Sequence, residues 1–380
     1  MDIPQGIGRP TWAEIDLGAL AHNFRVIRDH VGPRVSVLAA VKANAYGHGA
    51  VECARRLESE GADWFGVALP EEGIELRRAG ISKPILCLGG FWEGQESACL
   101  KYNLTPVLDR LDESQSLDRA ARDAGLTACV HLKIDTGMGR LGVRADRVAR
   151  FCEGLKELTN LRVDGLLTHL AAADTESMKQ FTDRQIDKFE EAVRVCRDQG
   201  FAPTYLHAAN SAATFAFPRG LGNMVRPGGA LYGFVRDVLP ANLARPDLKP
   251  VMSLHSRIIL LKTVAKGETL GYGCTFETER ESRIATIPIG YDDGYRRALS
   301  NRGRVLVRGH VAPVVGRISM DMTLVDVTDV PDVEVDDYVT LMGADGPVSI
   351  SAEDLGELAG TISYEITCGI SSRVPRIYKA

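Results

Sequence analysis

Residues 41 to 49 read Val-Lys-Ala-Asn-Ala-Tyr-Gly-His-Gly and follow an apolar run, Val35-Ser-Val-Leu-Ala-Ala-Val41. Lys42 therefore stands at the end of a buried strand, where a free ammonium is costly to desolvate without an anionic partner. Such a lysine is either a solvated strand end or a nucleophile that resolves its charge as a Schiff base to a carbonyl cofactor. Tyr46 comes four residues later, and Gly47 and Gly49 allow a sharp turn and close approach to a ligand.

The elements around Lys42 decide between these readings. After a first helix near 18–30, eight apolar runs read as strands: Ser36–Val41, Trp64–Leu69, Pro84–Leu88, Thr105–Leu108, Ala128–Ile134, Val163–Thr168, Thr204–His207 and Asn223–Arg226. Amphipathic segments at 50–60, 71–79, 111–124 and 182–199 separate them, and each is followed by a glycine suited to a helix C-cap. Eight apolar strands alternating with helices predict a parallel (β/α)8 barrel, with a doubly wound open sheet as the alternative.

On a barrel the polar residues at strand ends converge. Lys42 ends the first strand, Lys133 and Asp135 the fifth, His169 the sixth and Arg226 the eighth, while Asn210 and Ser211 follow the seventh. All face the carboxyl ends of the strands, where barrel enzymes build their sites. The loops after strands seven and eight commonly hold phosphate. Ser211 offers a hydroxyl there, and Gly228 and Gly229 offer backbone amides to an anion.

From about residue 250 the texture changes to short valine- and isoleucine-rich runs punctuated by Gly, Pro and Asp, which predicts an all-β domain with one good helix at 352–359. Domains at 12–240 and 250–380 follow, joined by a proline-rich linker. A net charge of -5 gives no footprint for nucleic acid or an anionic membrane surface. No run reaches the roughly 18 apolar residues of a membrane helix. The N-terminus lacks a signal-type apolar core, and the eight cysteines are scattered without a Cys-x-x-Cys pair. The expected location is the cytoplasm, and no metal site is expected.

The stretch around Lys42 closely resembles the pyridoxal-phosphate lysine motif of bacterial alanine racemases, and the likeness runs from about Thr11 to Tyr378. The resemblance implies a fold type III enzyme, an N-terminal (β/α)8 TIM-type barrel followed by a mostly-β domain that the N-terminal 1–11 segment joins. It implies a homodimer with shared active sites, a pyridoxal 5'-phosphate cofactor, and L-/D-alanine as substrate. The reaction it implies is two-base proton transfer on an external aldimine, supplying D-alanine for peptidoglycan.

By resemblance, Lys42 and Tyr272 are the two catalytic bases, Tyr272 acting from the partner subunit. Tyr46, Tyr364, His169, Asn210, Ser211, Gly228 and Gly229 surround the cofactor, and Arg226 faces its ring nitrogen. An arginine there keeps its protons and leaves the pyridine unprotonated, which suits a racemase. Arg140, in Lys133-Ile-Asp-Thr-Gly-Met-Gly-Arg140, is implied to bind the substrate carboxylate. Lys133 matches a lysine often carbamylated in the family. Met320 and Asp321 match a partner-subunit pair over that carboxylate, and Tyr291, Arg297 and Arg317 match the lining of the substrate access channel. The chain departs from the family at Gly229, usually a larger aliphatic residue, and at Gly271, commonly serine.

Rival readings keep the cofactor and change the reaction, or drop it. Diamino-acid decarboxylases and D-serine dehydratases share the plan, but those decarboxylases set a carboxylate against the pyridine nitrogen. Serine or basic amino acids are alternative substrates. A non-enzymatic cofactor carrier would lack the β domain, and a cofactor-free barrel would use Lys42 on its substrate directly.

Overall fold

The computed structural model describes residues 8–380, so most of the expected N-terminal join, residues 1–7, lies outside the described residues. The chain forms two compact units. One contains residues 20–45 and 50–248; the other contains the residues up to Ala19, 46–49 and 249–380.

In the first unit all eight apolar runs form parallel strands: Ser36–Ala40, Trp64–Val67, Ile85–Cys87, Thr105–Leu108, Ala128–Asp135, Leu161–Leu167, Tyr205–His207 and Met224–Val225. The first seven pair each with the next, and the eighth returns to the first through Met224↔Ser36 and Val225↔Val37. Between strands seven and eight isolated bonds replace a ladder. Asn223 N donates to Leu206 O at 3.1 Å and Arg226 N to Ala209 O at 2.9 Å. The result is an almost closed eight-stranded barrel.

The strands read as unbroken apolar runs because both of their faces are covered. Leu38, Trp64, Leu86, Val107, Leu167 and Met224 pack into one cluster. Burying each such side chain contributes about 1.5–3 kcal/mol. Outside the strands, the helix Lys179–Asp198 buries Ile186, Phe189, Val193 and Cys196, one apolar stripe at helical spacing. The helix Pro70–Arg78 begins with proline at its first turn, carries Glu71 and Glu72 there, and ends on Arg77 and Arg78, in accord with the helix dipole.

The second unit is sheet-rich. Thr11–Asp16 runs antiparallel to Met252–Arg257 and parallel to Arg376–Lys379, and Tyr338–Asp345, Arg304–Val307 and His310–Pro313 extend that sheet. A three-stranded sheet joins Leu260–Val264, Ser282–Ile287 and Thr323–Asp326. Residues 256–264 thus divide between two sheets. The helix Ala352–Ala359 starts on a capping box, with Ser351 Oγ accepting from Asp354 N at 3.1 Å and Ser351 N donating to Asp354 Oδ2 at 2.8 Å. A second helix, Ser363–Gly369, has no strong sequence signal and carries Tyr364. Among the described residues no helix is long and apolar enough to cross a membrane, and no group of three or more His, Cys, Asp or Glu side chains is placed to hold a metal ion.

Candidate active site

Lys42 leaves the first barrel strand into a left-handed turn. Ala43, Asn44, Ala45 and Tyr46 have φ of 51°, 53°, 53° and 54°. Left-handed helical geometry costs non-glycine residues about 1–2 kcal/mol each, so the turn has to be held. Ala45 N donates to Val41 O at 2.8 Å, closing the turn. Asn44 Oδ1 accepts from Ala50 N at 2.7 Å, and Glu72 Oε1 accepts from Ala43 N at 2.6 Å. The sharp turn expected at Gly47 and Gly49, which have φ of 87° and 99°, begins earlier, at four residues that are not glycine. The two glycines answer to packing within their own unit. A Cβ on Gly47 would lie 2.1 Å from Thr367 O, and one on Gly49 would lie 1.9 Å from the Tyr378 hydroxyl.

The barrel unit gathers Lys42, Lys133, Arg140, His169 and Arg226 close enough to shift one another's ionisation. Burial, then Arg226, Arg140 and Lys42, push the Lys133 ammonium down to about 8, against a smaller upward pull from Asp109. Burial, then Arg226, Lys133, Arg140 and Lys42, push His169 down to about 3. His169 is therefore a neutral imidazole here.

Arg226 is buried and bonded only to neutral acceptors. Its Nη1 donates to His207 O at 2.6 Å and lies 3.1 Å from His207 Nδ1; Nη2 donates to Thr168 O at 2.6 Å and to Ala208 O at 3.1 Å. A guanidinium has five N–H groups, so these contacts leave Nε–H for an incoming acceptor. Burial lowers its pKa to about 10, so the guanidinium stays charged at neutral pH.

The loops after strands seven and eight meet at Ser211. Its Oγ accepts from Gly228 N at 2.8 Å and from Ala230 N at 3.3 Å. Asn210 caps the helix Ser211–Ala216, accepting from Ala213 N at 3.1 Å, while its amide donates to Leu170 O at 3.1 Å. Gly228 and Gly229 are buried beside Ser211.

The second unit brings together its own set. The tip of the hairpin Thr269–Leu270/Phe276–Glu277 carries Tyr272, which is 72% exposed. Gly271, where the family commonly has serine, has φ +73° and ψ −178°, a conformation glycine adopts without steric cost. A Cβ on Gly273 would lie 2.7 Å from Arg317 Nη1, so the tip rests against Arg317. Tyr291 N donates to Ser319 O at 3.0 Å and Asp292 N to Met320 O at 3.1 Å, zipping the Tyr291 turn to the Met320–Asp321 loop. Asp321 Oδ1 accepts from Arg373 Nη2 at 2.6 Å. The turn beginning at Arg297 joins the same group, since Ser300 Oγ accepts from Ile318 N at 3.0 Å. Tyr46 and Tyr364 meet ring to ring, with centroids 5.5 Å apart.

Several residues of this architecture carry no sequence signal. Glu72 reads as an ordinary acidic first-turn residue. Gln185 reads as a polar residue on an amphipathic helix, yet it is buried. It accepts from Ala171 N at 2.9 Å and donates to His169 O at 3.2 Å, holding the loop after strand six. His131 reads as a strand residue among apolar neighbours.

A parallel barrel with buried lysine and arginine at the strand ends, continued by a β-rich unit in one chain, defines the class of barrel proteins with a cationic site at the carboxyl ends of their strands. Comparisons with known proteins narrow that class. Residues 15–235 match the family described as alanine racemase, N-terminal domain, and residues 251–378 match alanine racemase, C-terminal domain. An alanine racemase of Halothermothrix orenii is 46% identical, with 98% of each chain covered, and one of Geobacter sulfurreducens is 46% identical, with 97% of each covered. Among solved structures, an alanine racemase of Clostridium difficile superposes with a TM-score of 0.92 at 38% identity, covering 98% of this chain and 96% of that one. The alanine racemase of a D-cycloserine-producing Streptomyces lavendulae gives a TM-score of 0.90 at 37% identity, with 98% of each chain covered. The chain belongs to the alanine racemase family, and it is an isomerase.

Proposed function

We propose that this chain interconverts L- and D-alanine with pyridoxal 5'-phosphate, as a cytoplasmic homodimer that supplies D-alanine for peptidoglycan. The observation that carries the reading is the excess of buried positive charge at the carboxyl ends of the barrel strands. Arg226 is buried against carbonyls and an imidazole rather than a carboxylate, and Lys133 is buried among cations. A phosphorylated cofactor and a carboxylate substrate bring the anions such a site lacks. The single spare donor of Arg226 also fits an unprotonated ring nitrogen, which can only accept.

When bound, pyridoxal phosphate supplies the electron sink that makes the alanine Cα–H acidic. Lys42 anchors it and, once displaced by substrate, moves the Cα proton on one face. Tyr272 of the partner subunit moves it on the other. Tyr272 lies exposed on the hairpin tip, as a residue serving a second subunit must be in a single chain. Arg226 would offer its Nε–H to the ring nitrogen, and Arg140 would take the substrate carboxylate, assisted by Lys133, Met320 and Asp321. Ser211, Asn210, Gly228 and Gly229 would hold the phosphate, with Tyr46 and Tyr364 as the further residues the family resemblance assigns to it. His169 would flank the ring as a neutral group. Tyr291, Arg297 and Arg317 line the approach. The cytoplasm fits a chain whose eight cysteines are all free thiols.

Chiral chromatography of alanine incubated with the purified dimer tests the reading. Either enantiomer is expected to reach an equal mixture. A product of decarboxylation or deamination, or racemisation of serine or lysine well ahead of alanine, would overturn it.

A further inference from the structure

We propose that Glu72 is a positioning residue for Lys42, acting through the left-handed turn at 43–46. The inference deepens the function above and rests on Lys42 being the lysine that anchors the cofactor. Glu72 is the third residue of the helix Pro70–Arg78, and its Oε2 accepts from Ala68 N at 2.7 Å and from Leu69 N at 3.2 Å. Those bonds are ordinary helix capping. The bond from Ala43 N to Oε1 at 2.6 Å is not, because it crosses to the end of the neighbouring barrel strand. One carboxylate thus ties the ends of strands one and two together, with an oxygen for each.

The peptide it holds is the one immediately after Lys42. Fixing the Ala43 N–H fixes the peptide plane that follows the lysine, and so the origin and direction of its side chain. Strained backbone persists only where its surroundings over-determine it. Asparagine tolerates left-handed geometry, and Asn44 has its own bond to Ala50 N. Alanine has no such tolerance, and Ala43 is exposed, so core packing does not hold it. Glu72 is what holds it. Without that carboxylate the turn relaxes and the Lys42 amine spends less time where the cofactor must meet it.

The test uses the full chain stripped of cofactor, as wild type, Glu72→Ala, Glu72→Gln and Glu72→Ala with Ala43→Gly. Pyridoxal phosphate is added, the adduct is trapped with borohydride, and its rate and position are read by peptide mass mapping. Amide exchange of the 41–49 peptide is followed in parallel, with thermal midpoints as a check of folding. The wild type is expected to capture the cofactor at Lys42. Glu72→Ala is expected to capture it about tenfold more slowly, the rate equivalent of one lost bond to a charged acceptor, with faster exchange at 41–49 as well as at the freed Ala68 and Leu69 amides.

Glycine holds positive φ at no steric cost, so Ala43→Gly is expected to restore capture to within about threefold of wild type. Glu72→Gln keeps the volume but only one acceptor oxygen. It is read in place of Glu72→Ala should that variant not fold, and it is expected to slow capture in the same direction. A folded variant that captures at Lys42 at the wild-type rate, with unchanged exchange at 41–49, would overturn the proposal. So would slow capture that glycine does not rescue, with faster exchange confined to 64–78. A wild type that traps the cofactor at another lysine would instead remove the cofactor reading, and the exchange pattern alone would then decide whether Glu72 holds the turn.

Discussion

Arg226 Nη1 lies 3.1 Å from His207 Nδ1, and that one contact orders the protons of three residues in a row. Guanidinium only donates, so His207 Nδ1 must accept and the imidazole proton sits on Nε2. His207 Nε2 lies 2.9 Å from His131 Nδ1, which accepts in turn and leaves the His131 proton on its own Nε2. Gly165 on the adjoining strand makes room, since a Cβ there would lie 2.5 Å from His131 Nδ1. Burial, reinforced by Arg226, pushes His131 down to about 3 and His207 well below its ordinary value.

Nitrogen NMR of histidine-labelled protein should therefore show two neutral Nε2–H imidazoles for His131 and His207 throughout the neutral range. A protonated imidazole at either position would refute the ordered chain. His207→Phe leaves part of Arg226 unsatisfied and is expected to cost about 1–3 kcal/mol of stability, read by denaturant titration.

The pH dependence of stability has two windows. His131 and His169 are held near 3 and His255 near 4, all below the ordinary 6.5. The folded chain refuses protons that the unfolded chain takes up, so stability falls as pH drops from about 6.5 toward 3. Lys133 gives the opposite flank. Its folded value of about 8 lies below the ordinary 10.5, so its burial penalty is complete below 8 and fades as pH rises to 10.5. At about 1.4 kcal/mol per unit, Lys133 alone contributes on the order of 3 kcal/mol across that window. Lys133→Met should raise the thermal midpoint of the cofactor-free protein at pH 7 and flatten its rise between pH 8 and 10. An unchanged midpoint and slope would contradict the burial of a charged Lys133.

Tyr272→Phe removes a hydroxyl from an exposed hairpin tip and should leave the fold intact. Racemisation is expected to fall by about a thousandfold, as for loss of a general acid–base group. Exchange of the Cα proton is expected to be lost selectively from L-alanine. Equal loss of exchange from both enantiomers would refute the one-face assignment.

Mixing two differently inactivated forms tests the shared site. Lys42→Ala and Tyr272→Phe chains, dissociated and reassociated together, are expected to recover activity as mixed dimers that hold one intact site. No recovery in a mixture shown to form mixed dimers would contradict a site completed by the partner subunit.

The barrel was legible because parallel strands covered on both faces leave continuous apolar runs, and all eight runs became strands. The lysines and Arg226 were legible because charge at a strand end is costly and therefore informative. The left-handed turn was not, because Ala43-Asn-Ala-Tyr46 carries no glycine and only Asn44 tolerates that geometry, while the bonds of Ala43 N to Glu72 and of Ala50 N to Asn44 join residues that the sequence does not mark as partners. The helix bearing Tyr364 was hidden because Ser363–Gly369 is short and its start has no side-chain cap. The histidine chain was hidden because His131 and His207 stand 76 residues apart and only barrel closure joins them.

The most direct test of the account is the visible spectrum of the pure protein, followed in the same cuvette by L-alanine in deuterated water. A band from cofactor held at Lys42 is expected, absent in Lys42→Ala, then deuterium entering Cα while optical rotation decays to zero. A protein that shows no band after pyridoxal phosphate is added would contradict the role of Lys42, and a band without exchange at the alanine Cα would contradict alanine racemisation.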